Sequence, residues 1–174
     1  KPSSTSQFGL IPVENRLDPQ DVILTTANHN VKKWLGHELS DPLDKPLIVI
    51  LSKFDEWKHH FADELPSLSR SSSHDASNTH GFRADVVKSV SNKMRKLLLK
   101  YSPSIVAAAE EFSNQVSYIP VSATGCEPEN QNGSKMFRRG SLRPTWVEAP
   151  LLWALHRLTK GLVTDVSPGT THAG

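Results

Sequence analysis

The chain has 174 residues, of which 37% are hydrophobic and 22% are charged. These proportions are typical of one globular domain with enough apolar residues to build a core. The formal net charge of +2 is too small to indicate a nucleic-acid partner or an acidic membrane surface. Cys126 is the single cysteine, which excludes an internal disulfide and favours a cytoplasmic location. The longest apolar run, Leu47 to Leu51, is far shorter than the roughly 20 residues that span a membrane.

The N-terminal part of the sequence predicts a short segment followed by a helix. Residues 1–17 begin Ser-rich, and an apolar patch at 8–13 predicts a brief strand. Because the chain begins with Lys1 rather than Met, we expect it to continue a longer polypeptide. Apolar residues at helical spacing predict a helix from Pro19 to Leu35, and Gly36 is a typical helix stop. The face expected to be buried consists of Ile23, Ala27, Val31, Trp34 and Leu35.

Two apolar runs predict the strands of a sheet. The run at 46–52 is uninterrupted and mostly β-branched, which is typical of a strand buried on both faces in a parallel sheet. A second run at 116–123 predicts another strand that ends in small residues. After the first strand, Trp57, Phe61 and Leu65 lie four residues apart, and they predict a short helix that ends before Pro66.

The remaining helices are predicted in the second half of the chain. An apolar face from Val87 to Tyr101 indicates one helix, and Ser102 with Pro103 is a typical start for the next. The last helix is expected to place Pro150 in its first turn. Its predicted buried face consists of Val147, Leu151, Leu152, Leu155 and Leu158.

These elements predict one α/β domain over residues 18–160. Polar sequence at 66–82 and 124–145 predicts two surface insertions within it. Residues 161–174 have no periodicity and are expected to form a loose tail.

Polar residues follow both predicted strands at the point where each strand ends. Ser52, Lys53 and Asp55 come directly after the first strand, and Ser122 and Ala123 end the second. In open α/β sheets, ligands bind outside the carboxyl ends of the strands. We therefore expect these two loops to lie beside each other and to form part of a site.

The two loops resemble the guanine-recognition half of a P-loop GTPase domain. That family carries Asn/Thr-Lys-x-Asp after one strand and Ser-Ala after the next, and the same order occurs here at 52–55 and 122–123. The order of the elements over residues 18–160 is also similar to GTPase-like domains of large bacterial proteins. The resemblance implies a partial P-loop NTPase-like, three-layer fold with few parallel strands flanked by helices. It also implies GTP or GDP as the ligand.

The resemblance also implies roles for individual residues. The Asp55 carboxylate would accept hydrogen bonds from the N1 proton and the 2-amino group of guanine, which adenine cannot offer together. The aliphatic stem of Lys53 would cover the plane of the base. The backbone N–H of Ala123 would donate to the guanine carbonyl, and Ser122 belongs to the matched Ser-Ala pair. Ser52 stands where the family usually carries Asn or Thr.

The phosphate-binding half of that family has no counterpart in this sequence. No Gly-x-x-x-x-Gly-Lys-Ser/Thr segment occurs, and this is the loop that holds the phosphates in P-loop proteins. We therefore expect no catalytic residue and no GTP hydrolysis from this chain alone, and a role for Mg²⁺ only where a phosphate-binding half is present. The expected partners are a guanine nucleotide and the remainder of a parent polypeptide or another protein.

Other interpretations of the same residues stay open. Asp55 is also a typical helix N-cap that would serve stability alone. The chain as a whole would then be a nucleotide-free scaffold or protein-interaction module. A weaker alternative is a nucleic-acid-binding loop formed by Lys135, Arg138, Arg139 and Arg143. No metal site is expected, because His59 and His60 are adjacent in sequence and should point apart on a helix.

Overall fold

The computed structural model describes residues 19–61, 64–71, 80–126, 128–131, 134–159 and 161–167. The strand predicted at 8–13 lies outside these residues. The helices are α1 (Gln20–Leu35), α2 (Phe54–Trp57), α3 (Ala84–Tyr101), α4 (Pro103–Phe112) and α5 (Ala149–Leu158). The strands are β1 (Leu43–Leu51), β2 (Ser69–Ser71), β3 (His80–Phe82), β4 (Ser113–Pro120), β5 (Glu129–Gln131) and β6 (Ser134–Met136). Within the described ranges, no helix has the length and apolar character needed to cross a membrane.

The two long strands form a small parallel sheet. β1 pairs with β4 in a register that runs from Leu47 opposite Val116 to Leu51 opposite Pro120. The expected mixed α/β architecture, with a small parallel sheet flanked by helices, is therefore confirmed. The two segments are far apart in sequence, and α3 and α4 make the crossover between them, as a parallel pair requires.

Helices cover both faces of this sheet. Neighbouring residues of a strand point to opposite faces, and β4 shows this at Ser117 and Tyr118. The Ser117 hydroxyl accepts a hydrogen bond from Nε1 of Trp153 on α5, at 2.9 Å. The Tyr118 hydroxyl donates to Oε1 of Glu110 on α4, at 3.4 Å. α4 and α5 therefore lie on opposite sides of the sheet.

The core forms where α3 packs against β4. The Tyr118 backbone N–H donates to the hydroxyl of Ser91 on α3, at 2.9 Å, which fixes the helix to the strand. The side chains from these and neighbouring elements that are buried in this core include Val87, Val90, Met94, Val106, Ala109, Ile119 and Trp153.

The buried side of α1 differs from the predicted one. α1 packs on α4 through Asn28 and Lys32, whereas Trp34, from the predicted buried face, is 84% exposed. The Lys32 side chain is fully buried, and its ammonium donates to the backbone oxygens of Leu39 at 3.0 Å and Glu111 at 3.2 Å. A helix leaves its last carbonyls without an intrahelical partner, and Lys32 supplies the donor for Glu111 near the end of α4. This requirement, which hydrophobic periodicity does not contain, decides the orientation of α1.

The predicted buried face of α5 is also wrong in part. Ala149 and Trp153 are buried, while Leu151 and Leu158 are exposed. The indole of Trp153 reaches into the core and hydrogen-bonds to β4, which fixes the rotation of the helix. Pro150 lies in the first turn, as expected.

The polar insertions contain more structure than their composition indicates. The helix predicted to continue to Leu65 ends earlier, because α2 is followed by a single 3₁₀ turn at Lys58–His60. In the insertion at 66–82, β2 and β3 pair antiparallel, and Leu68 and Phe82 are buried in the core. Residues 72–79 lie outside the described part of the chain.

The expectation of a loose tail at 161–174 is wrong for its first residues. Phe82 donates its N–H to the Thr164 oxygen at 2.8 Å, and Val166 donates to the Phe82 oxygen at 2.9 Å. These bonds hold the tail against β3. Residues 168–174 lie outside the described part.

The same tail caps α3. The backbone N–H of Asp85 donates to the Ser167 hydroxyl at 2.9 Å, and that of Ala84 donates to the Asp165 carboxylate at 3.4 Å. Burial acts to raise the pKa of Asp165, but hydrogen bonds from Ser167 and Ala84, together with the positive charge of His156, outweigh it, so the pKa lies below its usual range. The first turn of the longest core helix thus takes its cap from a distant part of the sequence.

Candidate functional site

The two predicted loops lie side by side at the carboxyl end of the sheet. The Val121 N–H donates to the Leu51 oxygen at 2.9 Å, and the Phe54 N–H donates to the Val121 oxygen at 3.0 Å. These backbone bonds extend the pairing of β1 and β4 into the loops that follow. The carboxyl end of the sheet is where α/β proteins bind their ligands.

Asp55 and Ser122 are brought together by these loops. Asp55 is only 7% exposed, and its Oδ1 accepts a hydrogen bond from the fully buried Ser122 hydroxyl. The N-cap interpretation of Asp55 is wrong, because Lys53 occupies the cap position and Asp55 is the second residue of α2. The Asp55 carboxylate is therefore held by the neighbouring strand end rather than by the start of its own helix.

Residues 143–145 pair with the loop at 121–125 that follows β4, here called the Ser122 loop, and hold it in place. Ser122 and Thr145 exchange two backbone hydrogen bonds, at 2.9 and 2.8 Å, and the Arg143 N–H donates to the Thr124 oxygen at 2.7 Å. The Gly125 N–H donates to the Ser122 hydroxyl at 2.8 Å. Gly125 has a φ of +65°, and a Cβ there would lie 1.6 Å from the Arg143 oxygen. Only glycine fits this close approach.

A cavity of about 390 Å³ opens beside the Asp55–Ser122 pair. Its apolar wall includes Phe54, Phe61 and Leu65, and the rings of Phe54 and Phe61 meet edge to face at 5.7 Å. Asp55 and Ser122 supply polar groups to the same cavity. Lys58, Glu64 and Thr145 also line the cavity, so its walls are partly apolar and partly polar. A cavity of this size with convergent polar groups can hold a small molecule.

The other predicted site residues lie at the ends of the same strands but outside the cavity lining. Ser52 and Ala123 are exposed. The Lys53 side chain is 74% exposed, and its ammonium lies 3.7 Å from the Glu56 carboxylate. A surface ion pair of this kind contributes little stability and leaves Lys53 available to a ligand.

Sequence analysis missed several cavity residues. Gly125 follows Ser122 closely, and a glycine at that spacing indicates a tight turn. Thr145 comes from a segment 20 residues beyond Gly125, so no local pattern connects it with the site. The spacing of Phe61 and Leu65 predicted only a short helix, and both residues pack against the core and line the cavity.

The chain matches no family model, no curated protein and no solved structure. The class of ligand is therefore inferred from the chemistry of the site itself.

His59 and His60 are the remaining candidate metal ligands from the sequence. The His59 and His60 rings do not point apart as expected, since their centroids lie 3.9 Å apart in the 3₁₀ turn. Desolvation, together with the positive charges of His59 and Lys100, lowers the pKa of His60. Across the residues described, no group of three or more metal-ligating side chains occurs.

The basic loop is partly engaged with itself. Arg138 forms an ion pair with Glu129 at 2.8 Å, and Arg143 donates to the backbone oxygens of Gly140 and Leu142. The side chains of Lys135 and Arg139 lie outside the described part. Two of the four basic side chains are thus occupied within the loop.

Proposed function

We propose that this chain recognises the base of a guanine nucleotide, GTP or GDP, as the base-binding part of a P-loop GTPase-like fold. The observation that carries the proposal is the Asp55 carboxylate, which lines the cavity and is nearly buried. Ser122 donates to one of its oxygens and fixes its orientation. A fixed carboxylate at a cavity wall selects a ligand edge that carries two adjacent N–H donors, and guanine has such an edge.

The surroundings of Asp55 fit a flat, partly apolar ligand. Phe54, Phe61 and Leu65 provide an apolar wall against which a base ring can be buried. Ala123 directly follows Ser122, and its backbone N–H would donate to the guanine carbonyl. Lys53 would lay its aliphatic stem over the base from the exposed side.

This part of the site would bind the base without holding the phosphates. Because the sequence lacks a phosphate-binding loop, we expect weak affinity from the isolated chain, of the order of 1 mM, and no GTP hydrolysis. Phosphate contacts and Mg²⁺ would come from a phosphate-binding part supplied by the parent polypeptide or by another protein.

An NMR titration of the chain with guanosine, adenosine and xanthosine tests the proposal. We expect guanosine to perturb the amide signals of 54–55 and 122–125, and adenosine to leave them unchanged. Asp55→Asn should weaken guanosine binding by about 10- to 100-fold, because charge-assisted hydrogen bonds are lost. The same variant should favour xanthosine, because Asn offers a donor where xanthine carries a carbonyl.

The neighbouring carboxylate provides a matched control. Glu56→Gln removes an exposed charge one residue away, and we expect unchanged guanosine binding. Equal guanosine affinity in wild type and Asp55→Asn would refute the base-recognition role, as would equal affinity of the wild type for adenosine.

A further inference from the structure

A second cavity, of about 430 Å³, lies between α3 and the end of the 3₁₀ turn that follows α2. Three lysines of α3 line it together, because Lys93, Lys96 and Lys100 are spaced so that they share one face of the helix. Among the described residues, no carboxylate lines this cavity. Like charges three and four residues apart on a helix repel each other, so the cavity favours an anionic ligand.

The aromatic part of this cavity is fixed by contacts between rings. The Tyr101 hydroxyl lies 3.2 Å from Nδ1 of His60, within hydrogen-bond distance, and the two ring centroids are 4.7 Å apart. The Tyr101 ring also meets the ring of Trp57, the last residue of α2, edge to face at 6.2 Å. These contacts join α3 to α2 and hold the wall in one arrangement. A preformed wall reduces the ordering that a ligand must cause when it binds.

Two of the ammonium groups lie over aromatic rings. Nζ of Lys93 is 5.6 Å from the centre of the Phe61 ring, and Nζ of Lys100 is 5.0 Å from the centre of the Tyr101 ring. These are cation–π distances. Positive charge and apolar ring surface are therefore next to each other in the same cavity. A ligand that fits both has a negatively charged group attached to a flat apolar body.

We propose that this cavity binds a small molecule in which a phosphate group is attached to an aromatic ring. Lys96 and Lys100 would donate to the phosphate oxygens, and the ring of the ligand would lie against Phe61 and Tyr101. A phosphate monoester carries nearly two negative charges at neutral pH, so it matches two lysines better than a carboxylate does. The cavity shares Phe61 with the one beside Asp55, but its lysines do not line that cavity.

An NMR titration of the 174-residue chain with phenyl phosphate, in a phosphate-free buffer of low ionic strength, tests the proposal. We expect the amide signals of 60–61 and 96–101 to shift, with a Kd of about 1 mM or below. Phenol, which has the ring without the charge, should leave these signals unchanged. Inorganic phosphate should bind at least about threefold more weakly than phenyl phosphate, because it has no ring to bury.

Substitution of single lysines separates this cavity from the rest of the basic helix. Lys96→Gln and Lys100→Gln should each weaken the binding of phenyl phosphate by about three- to fivefold, because each removes one exposed charge. Lys88→Gln is the matched control. Lys88 is an exposed lysine of the same helix that does not line the cavity, so its loss should leave the affinity unchanged.

Four results would overturn the proposal. An equal loss of affinity in Lys88→Gln would show general attraction to a basic helix, and equal affinity for inorganic phosphate would show that no ring is recognised. Shifts confined to 54–55 and 122–125 would place the ligand in the cavity beside Asp55 instead. Binding that is absent from the wild type, or appears only in Asp63→Asn, would mean that no external anion occupies the cavity. The probe contains no guanine, so this proposal and guanine recognition fail separately.

Discussion

Gly125→Ala tests whether the Ser122 loop depends on its close contact with residues 143–145. The substitution has two separate costs. The first is the left-handed backbone of Gly125, with φ at +65°, which costs a non-glycine residue about 1 kcal/mol or slightly more. The second is steric, because the new Cβ would lie 1.6 Å from the Arg143 oxygen, less than half of the roughly 3.5 Å contact distance for carbon.

The steric conflict can be relieved only by moving backbone. Separating the two segments disturbs three hydrogen bonds, from Arg143 to Thr124 and in both directions between Ser122 and Thr145. At about 1 kcal/mol each, their loss would add roughly 2–3 kcal/mol to the backbone strain. We therefore expect Gly125→Ala to lower the free energy of unfolding by about 3–4 kcal/mol.

Gly36→Ala isolates the first cost. Gly36 ends α1 with a φ of +68°, and a Cβ there would meet no atom within 4 Å. It should therefore cost only about 1 kcal/mol. Urea denaturation of both variants gives the comparison directly. If Gly125→Ala costs no more than Gly36→Ala, the contact with Arg143 does not constrain the loop, and the reasoning is refuted.

Two further predictions concern polar groups in the helical layer. Lys32→Met should lower the unfolding free energy by about 2 kcal/mol, because two backbone oxygens lose their donor. Lys33→Met, on the exposed side of α1, is the control and should change it by less than about 0.5 kcal/mol. Equal urea midpoints for the two variants would contradict this prediction. Hydrogen bonding to Arg95 lowers the pKa of Glu110 in the folded chain. Ionised Glu110 therefore adds to the free energy of unfolding above the usual glutamate pKa. This stabilisation is lost as the pH falls through the lower pKa of the folded state. Glu110→Gln should therefore make the free energy of unfolding less sensitive to acid below about pH 4. The effect should be under about 1 kcal/mol, because the side chains of Arg95 and Glu110 are both over one-third exposed. Unchanged acid sensitivity would exclude a stabilising role of this ion pair.

Local sequence patterns were sufficient to locate the main elements. The run at Leu47–Leu51 predicted a strand of a parallel sheet, and the spacing from Val87 to Tyr101 predicted α3. Both signals are local, since each follows from the burial of one element. What they omit is the rotation of α1, which depends on carbonyl oxygens that only the folded chain brings to Lys32.

In the candidate site, too, local sequence patterns predicted some residues and missed those that only the folded chain brings together. Asp55 and Ser122 were selected because each follows a strand, and their side chains meet in the structure. Thr145 could not be found in this way, because it reaches Ser122 through a return of the chain over many residues. The expected binding role of Ser52, Lys53 and Ala123 stays a prediction.

The cap on α3 has a consequence for the order of folding. The residues that cap its first turn, Asp165 and Ser167, lie 81 and 82 positions beyond the backbone N–H groups they serve. On a ribosome, α3 and its packing partner β4 would both be synthesised before the cap exists, because Asp165 and Ser167 come after them in the chain. Contacts of the tail should therefore form late and affect the unfolding rate rather than the folding rate. Loss of Ser167 would then shorten the lifetime of the folded chain without slowing its formation.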